Sequence, residues 1–182
     1  MIWLTADLHL GHTNILRYCH RPFHSTAEMD GVLIGNIMEA VKPTDTLYIL
    51  GDFALQRETF TAYRAMLGTA CSLVFVKGNH DAKQLDYQLA CDFKHNKRHY
   101  YCCHYPWQTW RPNTVMLHGH CHGNPIDLPK DTRQHMRFDV GVDTVWGGRK
   151  YFPVSIEQVE GRIESARSEH PGHDGVPGSV AT

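Results

Sequence analysis

The sequence predicts an α/β fold that contains two β-sheets. In the first 80 residues, short apolar segments typical of strands alternate with segments of helical periodicity, which implies parallel strands joined by crossover helices. After residue 91 the strands are shorter and no long helix separates them, so we expect a second sheet that is partly antiparallel. The chain of 182 residues is 42% hydrophobic, which is enough to bury one core without disulfides.

The first sheet and its helices are predicted from residues 2–6 (strand), 25–41 (helix), 46–50 (strand), 58–67 (helix) and 71–76 (strand). The first helix begins at a capping box, in which Ser25 is followed three residues later by Glu28. Pro43 ends this helix, and Gly68 ends the second one. The strands are rich in apolar and β-branched side chains, as expected for a sheet that is covered on both faces.

The second sheet is predicted from strands at residues 98–102, 114–117 and 137–140. A last strand near residue 153 leads into a short helix, because Ser155 and Gln158 form a second capping pattern. From residue 165 the chain is rich in Ser, Gly, Pro and His without apolar periodicity. We therefore expect one domain over residues 1–164 and a disordered tail over residues 165–182.

Charge and composition exclude several classes of protein. The formal net charge is −1 and no block of like charges occurs, which disfavours a protein that binds duplex nucleic acid. No signal peptide and no apolar stretch long enough to span a membrane are visible, and the six cysteines show no disulfide or zinc-ribbon spacing. A cytoplasmic protein with reduced thiols and no membrane partner is expected. Its oligomeric state is not indicated.

Side chains that bind cations follow the ends of five predicted strands: Asp7 with His9, Asp52, Asn79 with His80, His104, and His120 with His122. Ligands of open α/β sheets bind beyond the carboxyl ends of the strands, so these groups should converge on one crevice. Asp7 and His9, like His120 and His122, are two residues apart and would lie on one side of an extended segment. The mixture of nitrogen and oxygen donors suits Mn, Fe, Zn or Ni.

The motifs and their order resemble those of the calcineurin-like metallophosphoesterases. The matching motifs are Asp7-Leu8-His9, Gly51-Asp52, Gly78-Asn79-His80-Asp81, His104 and Gly119-His120-Cys121-His122. Each motif alone is a weak signal, but five in order after predicted strands form a strong one. The stretch Gly11-His12-Thr13-Asn14-Ile15, with Tyr18 and Arg21-Pro22-Phe23 after it, resembles a small single-domain branch common in bacteria and phages. The resemblance implies an αββα sandwich of two mixed sheets flanked by helices.

The resemblance also implies roles for individual residues. One divalent cation would be bound by Asp7, His9, Asp52 and His122, and a second by Asp52, Asn79, His104 and His120. Mn²⁺ is the expected metal, with Fe, Zn and Ni as alternatives. Hydroxide held by the two metals would attack the phosphorus atom. His80 would protonate the leaving oxygen, and Asp81 would orient His80.

Other polar residues have two readings each. His12, Asn14 and Arg21 either bind the phosphate or sugar of the substrate or only hold their loop together. His118 either reaches the site or, more simply, packs in the core behind it. Trp107 and Trp110 would offer a stacking face for a base or would pack in the core.

The resemblance implies a metal-dependent phosphoesterase that hydrolyses a small phosphoester. Cyclic nucleotides or other phosphodiesters are the favoured substrates, because the near-neutral charge provides little attraction for a polynucleotide backbone. A phosphomonoesterase or a nuclease for short oligonucleotides is the alternative. A non-catalytic metal-binding scaffold that binds other proteins is less favoured, since His80 and the full set of ligands are present.

Overall fold

A computed structural model describes residues 1–83, 87–124 and 136–169 of the chain. The helices and strands follow in the order β1 (Ile2–Thr5), α1 (Thr13–Tyr18), α2 (Thr26–Ala40), β2 (Thr46–Leu50), α3 (Arg57–Gly68), β3 (Ser72–Val76), β4 (Ala90–His95), β5 (Arg98–Cys103), β6 (Thr114–His118), β7 (Arg137–Asp139), β8 (Val154–Ser155) and α4 (Ile156–Glu169). Within these ranges the strands form two mixed sheets, as predicted.

The first sheet has the order β3-β2-β1-β8. Its strands β1, β2 and β3 are parallel, and β8 runs antiparallel to β1. The parallel strands are joined by α2 and α3, because a parallel pair needs a long crossover connection. Their carboxyl ends therefore lie at one edge of the sheet, which is where the candidate site forms.

The second sheet has the order β4-β5-β6-β7, in which β4 and β5 are antiparallel and the other pairs are parallel. The sequence did not predict β4, because this strand is half exposed and carries polar residues. Residues 96 and 97 form the tight turn between β4 and β5, both with positive φ. His95 and His99 lie in the two strands that flank this turn.

Two hydrophobic clusters lie on opposite faces of the first sheet. Leu47 and Ile49 of β2 pack against α2 and α3, whereas Tyr48 and Leu50 face the second sheet. This alternation follows from the two-residue repeat of a strand. Buried residues of α4 join the cluster between the sheets. The first sheet is therefore covered on both faces, as its apolar strands predict.

The ends of the helices differ in part from the prediction. Ser25 caps α2 and accepts a hydrogen bond from the backbone N–H of Glu28 at 3.1 Å, as predicted. The short helix α1 was not predicted. Helix α4 continues to Glu169, past the predicted domain boundary at residue 164, and the predicted tail from residue 170 onward lies outside the described residues. No helix in the described ranges is long and apolar enough to cross a membrane.

The α3 helix offers a test of the core beneath the first sheet. Leu67 is fully buried, whereas its neighbour Met66 is 48% exposed. Leu67→Ala should lower the free energy of unfolding by about 2 to 5 kcal/mol, because it removes buried methyl groups and leaves a cavity. Met66→Ala in the same helix should change it by less than about 0.5 kcal/mol. Urea denaturation of both variants checks this, and equal losses would show that α3 does not cover the sheet.

Candidate metal centre

The candidate site lies where strands of both sheets end. Hydrogen bonds join the loops after β1 and β2 to each other and to the loop that follows β6 of the second sheet. The N–H of Asp7 donates to Gly51 O at 3.0 Å, and the N–H of His9 donates to Asp52 O at 2.8 Å. The N–H of His120, after β6, donates to both carboxylate oxygens of Asp7 at 3.0 and 2.9 Å. Residues from both sheets are thereby held beside one another.

Asp52 lies at the centre of the converging side chains. One of its oxygens, Oδ1, accepts the backbone N–H of His80 at 2.8 Å. The other, Oδ2, lies 3.4 Å from His9 Nε2 and 3.5 Å from His104 Nε2. Oxygen and nitrogen atoms of Asp7, Asp52 and His104 lie within 4.8 Å of one another, so that they can share one cation. A further set of this kind joins Asp7 to His9 and His122.

The imidazole rings are oriented as in metal sites. His104 Nδ1 lies 2.9 Å from Leu50 O and donates its proton there, which leaves the lone pair of Nε2 facing Asp52 and Asn79 Oδ1. Metal-bound histidines usually donate their second N–H to a carbonyl or carboxylate in this way. His9 Nε2 is buried and has no hydrogen-bond partner among the described residues. A divalent cation fits this group of acceptors, because it would satisfy them together.

Five of the predicted ligands have a left-handed backbone, with φ between 50° and 72°: Asp7, His9, Asp52, His120 and His122. Such a conformation costs free energy for residues with a side chain and persists only where the surroundings impose it. The expectation that these pairs lie on extended segments was therefore wrong. They converge because the backbone turns sharply after each strand.

Close packing of the backbone also shapes the site. A Cβ atom at Gly78 would lie 2.0 Å from Asp52 Oδ1, and one at Gly51 would lie 2.3 Å from His104 Nδ1. Gly51 also has a φ of +93°. Only glycine allows these approaches, since any side chain would displace a predicted ligand.

Burial controls the charge of the site. It raises the pKa of Asp7 well above its usual value and also raises the pKa of Asp52. Burial, followed by the repulsion of His122, lowers the pKa of His9 to about 2. At His122 burial is the largest single cause and acts in the same direction, but the hydrogen bonds to Asp143 and Cys19 and the charge of Asp7 together outweigh it and raise the pKa to about 11. A cation bound by these groups would therefore compete with protons for Asp7 and His122.

Asp81 has a different place from the one predicted. Its two oxygens accept backbone N–H groups of Asp52 (2.8 Å), Phe53 (2.7 Å), Ala54 (3.2 Å) and Gly78 (2.8 Å). Asp81 is buried, and none of the hydrogen bonds found in the described part joins it to the ring of His80. It holds the loops after β2 and β3 together, so its predicted role as an orienting partner of His80 is replaced by a structural one.

Arg21 is also a structural residue, which agrees with the second of its two readings and not with a contact to substrate. It is buried and donates to both carboxylate oxygens of Asp143, at 3.0 and 2.8 Å. It also donates to the carbonyl oxygens of Asp7, at 2.6 Å, and Leu8, at 2.9 Å. Asp143 in turn accepts a hydrogen bond from His122 Nδ1 at 2.8 Å. The sequence missed Asp143, because it lies outside the motifs and 122 residues after Arg21.

A cleft of about 500 Å³ opens beside the candidate ligands. The predicted residues His9, His12, His80 and His122 line it. So do residues to which the sequence analysis assigned no role in the site, namely Ile15, Tyr18, Cys19, His20, Cys121, Asn124, Asp143 and Lys150. Asn14 is exposed on α1 and is not among the lining residues. No motif signals Lys150, since only the fold brings the loop before β8 beside α1.

The remaining aromatic and histidine residues lie away from this cleft. His118 is fully buried in β6, and its Nδ1 lies 2.7 Å from Gly119 O, so it packs behind the site. Trp110 packs on the outer face of the second sheet and donates to Thr114 O at 2.7 Å. Trp107 is 52% exposed and lies on that same face. Neither Trp residue lines the cleft that holds the candidate ligands.

The role of Asp81 can be tested through stability. Asp81→Asn replaces an acceptor oxygen with an NH₂ group that faces backbone N–H donors. We expect a loss of about 1 to 3 kcal/mol in the free energy of unfolding, because buried donors lose their acceptor. Asp92→Asn, at an exposed position in β4, is the matched control and should change stability little. An unchanged urea midpoint in Asp81→Asn would contradict the structural role.

Known proteins share both the sequence and the fold of this chain. An uncharacterized protein of Methanocaldococcus jannaschii, MJ1445, is 30% identical over 170 residues, which cover 91% of this chain and 93% of that protein. The crystal structure of AQ665 from Aquifex aeolicus, a protein of unknown function, matches with a TM-score of 0.68 at 23% identity. The match covers 88% of this chain and 98% of AQ665, which shows a shared fold.

The sequence model of the calcineurin-like phosphoesterases matches residues 1–174. The match spans almost the whole chain, including every residue of the candidate metal centre. The family name denotes phosphoester hydrolysis, and the clustered carboxylates and imidazoles are a suitable site for the divalent cations that the family binds. This chain belongs to the calcineurin-like phosphoesterase family.

Proposed function

We propose that this protein is a metal-dependent phosphodiesterase that hydrolyses small phosphoesters, with cyclic and other nucleotides as the favoured substrates. The observation that carries the proposal is the convergence of buried carboxylates and imidazoles beside a cleft that His9 and His122 line. Asp7 and Asp52 are buried there beside His9, whose Nε2 has no hydrogen-bond partner in the described ranges. The family supports phosphoester hydrolysis as the reaction.

The ligands would divide into two sets around a shared carboxylate. We assign one cation to Asp7, His9, Asp52 and His122, and the other to Asp52, Asn79, His104 and His120. The clustering of Asp7 with His9 and His122 supports the first set. For the second, Asn79 Oδ1 lies 2.9 Å from His104 Nε2 and 3.2 Å from His120 Nδ1. Mn²⁺ suits these nitrogen and oxygen donors, as do Fe, Zn and Ni.

Two bound cations supply positive charge to the phosphoryl oxygens and lower the pKa of water. The chain itself positions the groups around them. Asp52 holds the backbone of His80 by a hydrogen bond, which fixes where the exposed ring of His80 enters the cleft. That ring centre lies 5.2 Å from His9 and 6.0 Å from His12. We assign to His80 the proton that the departing oxygen needs.

The rim of the cleft supports a nucleotide as substrate. Tyr18 is 60% exposed, and its ring meets that of His12 edge-on at 6.5 Å. An exposed aromatic ring provides a surface on which a base can stack. Lys150 also lines this cleft, and its ammonium group would attract a phosphate. The net charge of −1 does not favour a long polynucleotide.

Turnover that depends on metal tests the proposed function. The chain loaded with Mn²⁺ should hydrolyse bis-p-nitrophenyl phosphate and lose this activity in EDTA. A panel of monoesters, cyclic nucleotides and short oligonucleotides, with the product position assigned, would then identify the substrate class. If the protein preferred monoesters, the proposed activity would have to be changed from phosphodiesterase to phosphomonoesterase. Metal binding without turnover of any ester would favour a scaffold instead.

Asp52 should be essential for binding both cations. Asp52→Asn removes the shared negative charge, so the repulsion between two cations is no longer offset. We expect the loss of at least one metal per chain by elemental analysis, together with all turnover. The control variant Asp92→Asn has the same net charge as Asp52→Asn, and it should retain both the metals and the turnover. An active Asp52→Asn protein with two metals per chain would contradict the assignment.

His80 should affect the chemistry and not the metals. His80→Ala should keep its metal content but lose about 10² to 10⁴ in kcat on a nucleotide ester, because a ribose oxygen needs a proton to leave. The kcat for an activated aryl ester should fall far less, because its leaving group does not need a proton.

The exposed His24 lies outside the lining of the cleft, so His24→Ala is the control and should slow neither ester. Equal losses of His80→Ala on both esters would reassign His80 to stabilising charge on the phosphoryl group. If His80→Ala lost metal together with activity, His80 would be a metal ligand.

A further inference from the structure

Two of the six cysteines face each other across the β4–β5 hairpin. All six are free thiols, and Cys91 of β4 is the direct partner of Cys102 of β5 in the antiparallel ladder. Residues opposite each other in such a ladder have Cα atoms about 4.5 to 5.5 Å apart. Disulfides join cysteines whose Cα atoms are about 4.4 to 6.8 Å apart, so the backbone already has the spacing that a disulfide needs.

The side chains of this pair lie on one face of the sheet. Both pack in the hydrophobic cluster between the two sheets, with Cys102 fully buried and Cys91 half-buried. The next residue, Cys103, lies in the cluster on the outer face, where its Sγ donates to Tyr105 O at 3.0 Å. Strand alternation therefore makes Cys102, and not Cys103, the partner of Cys91.

The two sulfur atoms are close to each other as well. A hydrogen bond from the Cys102 thiol is the main cause that lowers the pKa of Cys91, ahead of burial, which opposes it. Tyr48 of the facing sheet lies close to both thiols. Burial is the main cause that raises the pKa of Tyr48, and the charges of Cys91 and Cys102 raise it further. Cys91, the more exposed and more acidic thiol of the pair, is therefore the one that an oxidant from solvent reaches.

We propose that Cys91 and Cys102 are a modification site that forms a reversible disulfide in response to peroxide. The Cys91 thiolate attacks hydrogen peroxide, the O–O bond breaks, and the products are a sulfenic acid on Cys91 and hydroxide. The Cys102 thiol then attacks the sulfenic sulfur, forms the S–S bond and releases water. The two sulfur atoms are oxidised by two electrons in total, and the peroxide is reduced to water.

The disulfide would join β4 to the strand that leads into the metal centre. Cys102 is followed by one residue of β5 and then by His104. Oxidation would thus cross-link the hairpin next to a predicted ligand, at a position that no part of the proposed hydrolysis uses. The inference rests on the geometry of the hairpin and on the exposure and acidity of its two thiols, and it holds whether or not the phosphodiesterase proposal is correct.

Peptide mapping of the full-length protein tests this site. The reduced chain is treated with hydrogen peroxide, alkylated under denaturing conditions and digested with trypsin. Lys94 and Arg98 separate the two cysteines, so the disulfide links two different tryptic peptides. We expect this linked pair in the oxidised protein and its loss after dithiothreitol. Cys19, Cys71, Cys103 and Cys121 should stay alkylated.

Serine variants identify the partner. Cys91→Ser and Cys102→Ser should each abolish the linked peptides, whereas Cys103→Ser, on the opposite face of the same strand, should retain them. Circular dichroism of each variant checks that it folds, and the half-exposed Cys91→Ser is decisive if Cys102→Ser does not fold. Sulfinic acid on Cys91 without a linked peptide, or a link that persists in Cys102→Ser, would overturn the proposal.

Discussion

The burial of two carboxylates at one edge of a sheet is the constraint on which the rest of the structure depends. Asp7 and Asp52 are almost fully removed from solvent, and within the described residues neither forms an ion pair with a lysine or arginine side chain. Burying these charges is costly, and burial is the main cause that raises the pKa of both groups. Backbone N–H groups of His80 and His120 offset part of this cost. Divalent cations would offset the remainder.

The surrounding structure holds this costly arrangement in place. Arg21 connects the carbonyl oxygen of Asp7 to Asp143, which orients His122, and Asp81 binds the backbone N–H groups of the loop that carries Asp52. A left-handed backbone at five predicted ligands needs such support, because it would relax without fixed partners. Arg21 and Asp81 therefore hold other groups of the site in position.

The residues that would select a substrate come from other parts of the chain than those that would bind metal. The predicted ligands follow strands and are mostly buried, whereas Tyr18 lies on α1 and Lys150 in the loop before β8. Side chains on loops and short helices can vary without disturbing the sheets. His80 stands between the two groups, since its backbone is bound to Asp52 while its ring is exposed to the cleft.

The sequence alone determined the features that depend on local patterns. Residues 46–50 form a strand as predicted, and side chains placed just after buried strands, such as Asp7 and Asp52, meet at one edge. Only the tertiary structure decided the half-exposed β4 and the roles of Arg21, Asp81 and Asp143. The motifs alone suggested catalysis or substrate contact for Arg21 and Asp81, and they did not include Asp143. Each of these polar side chains acts through whichever backbone group or distant residue the fold brings within hydrogen-bonding reach, and spacing along a chain does not encode that distance.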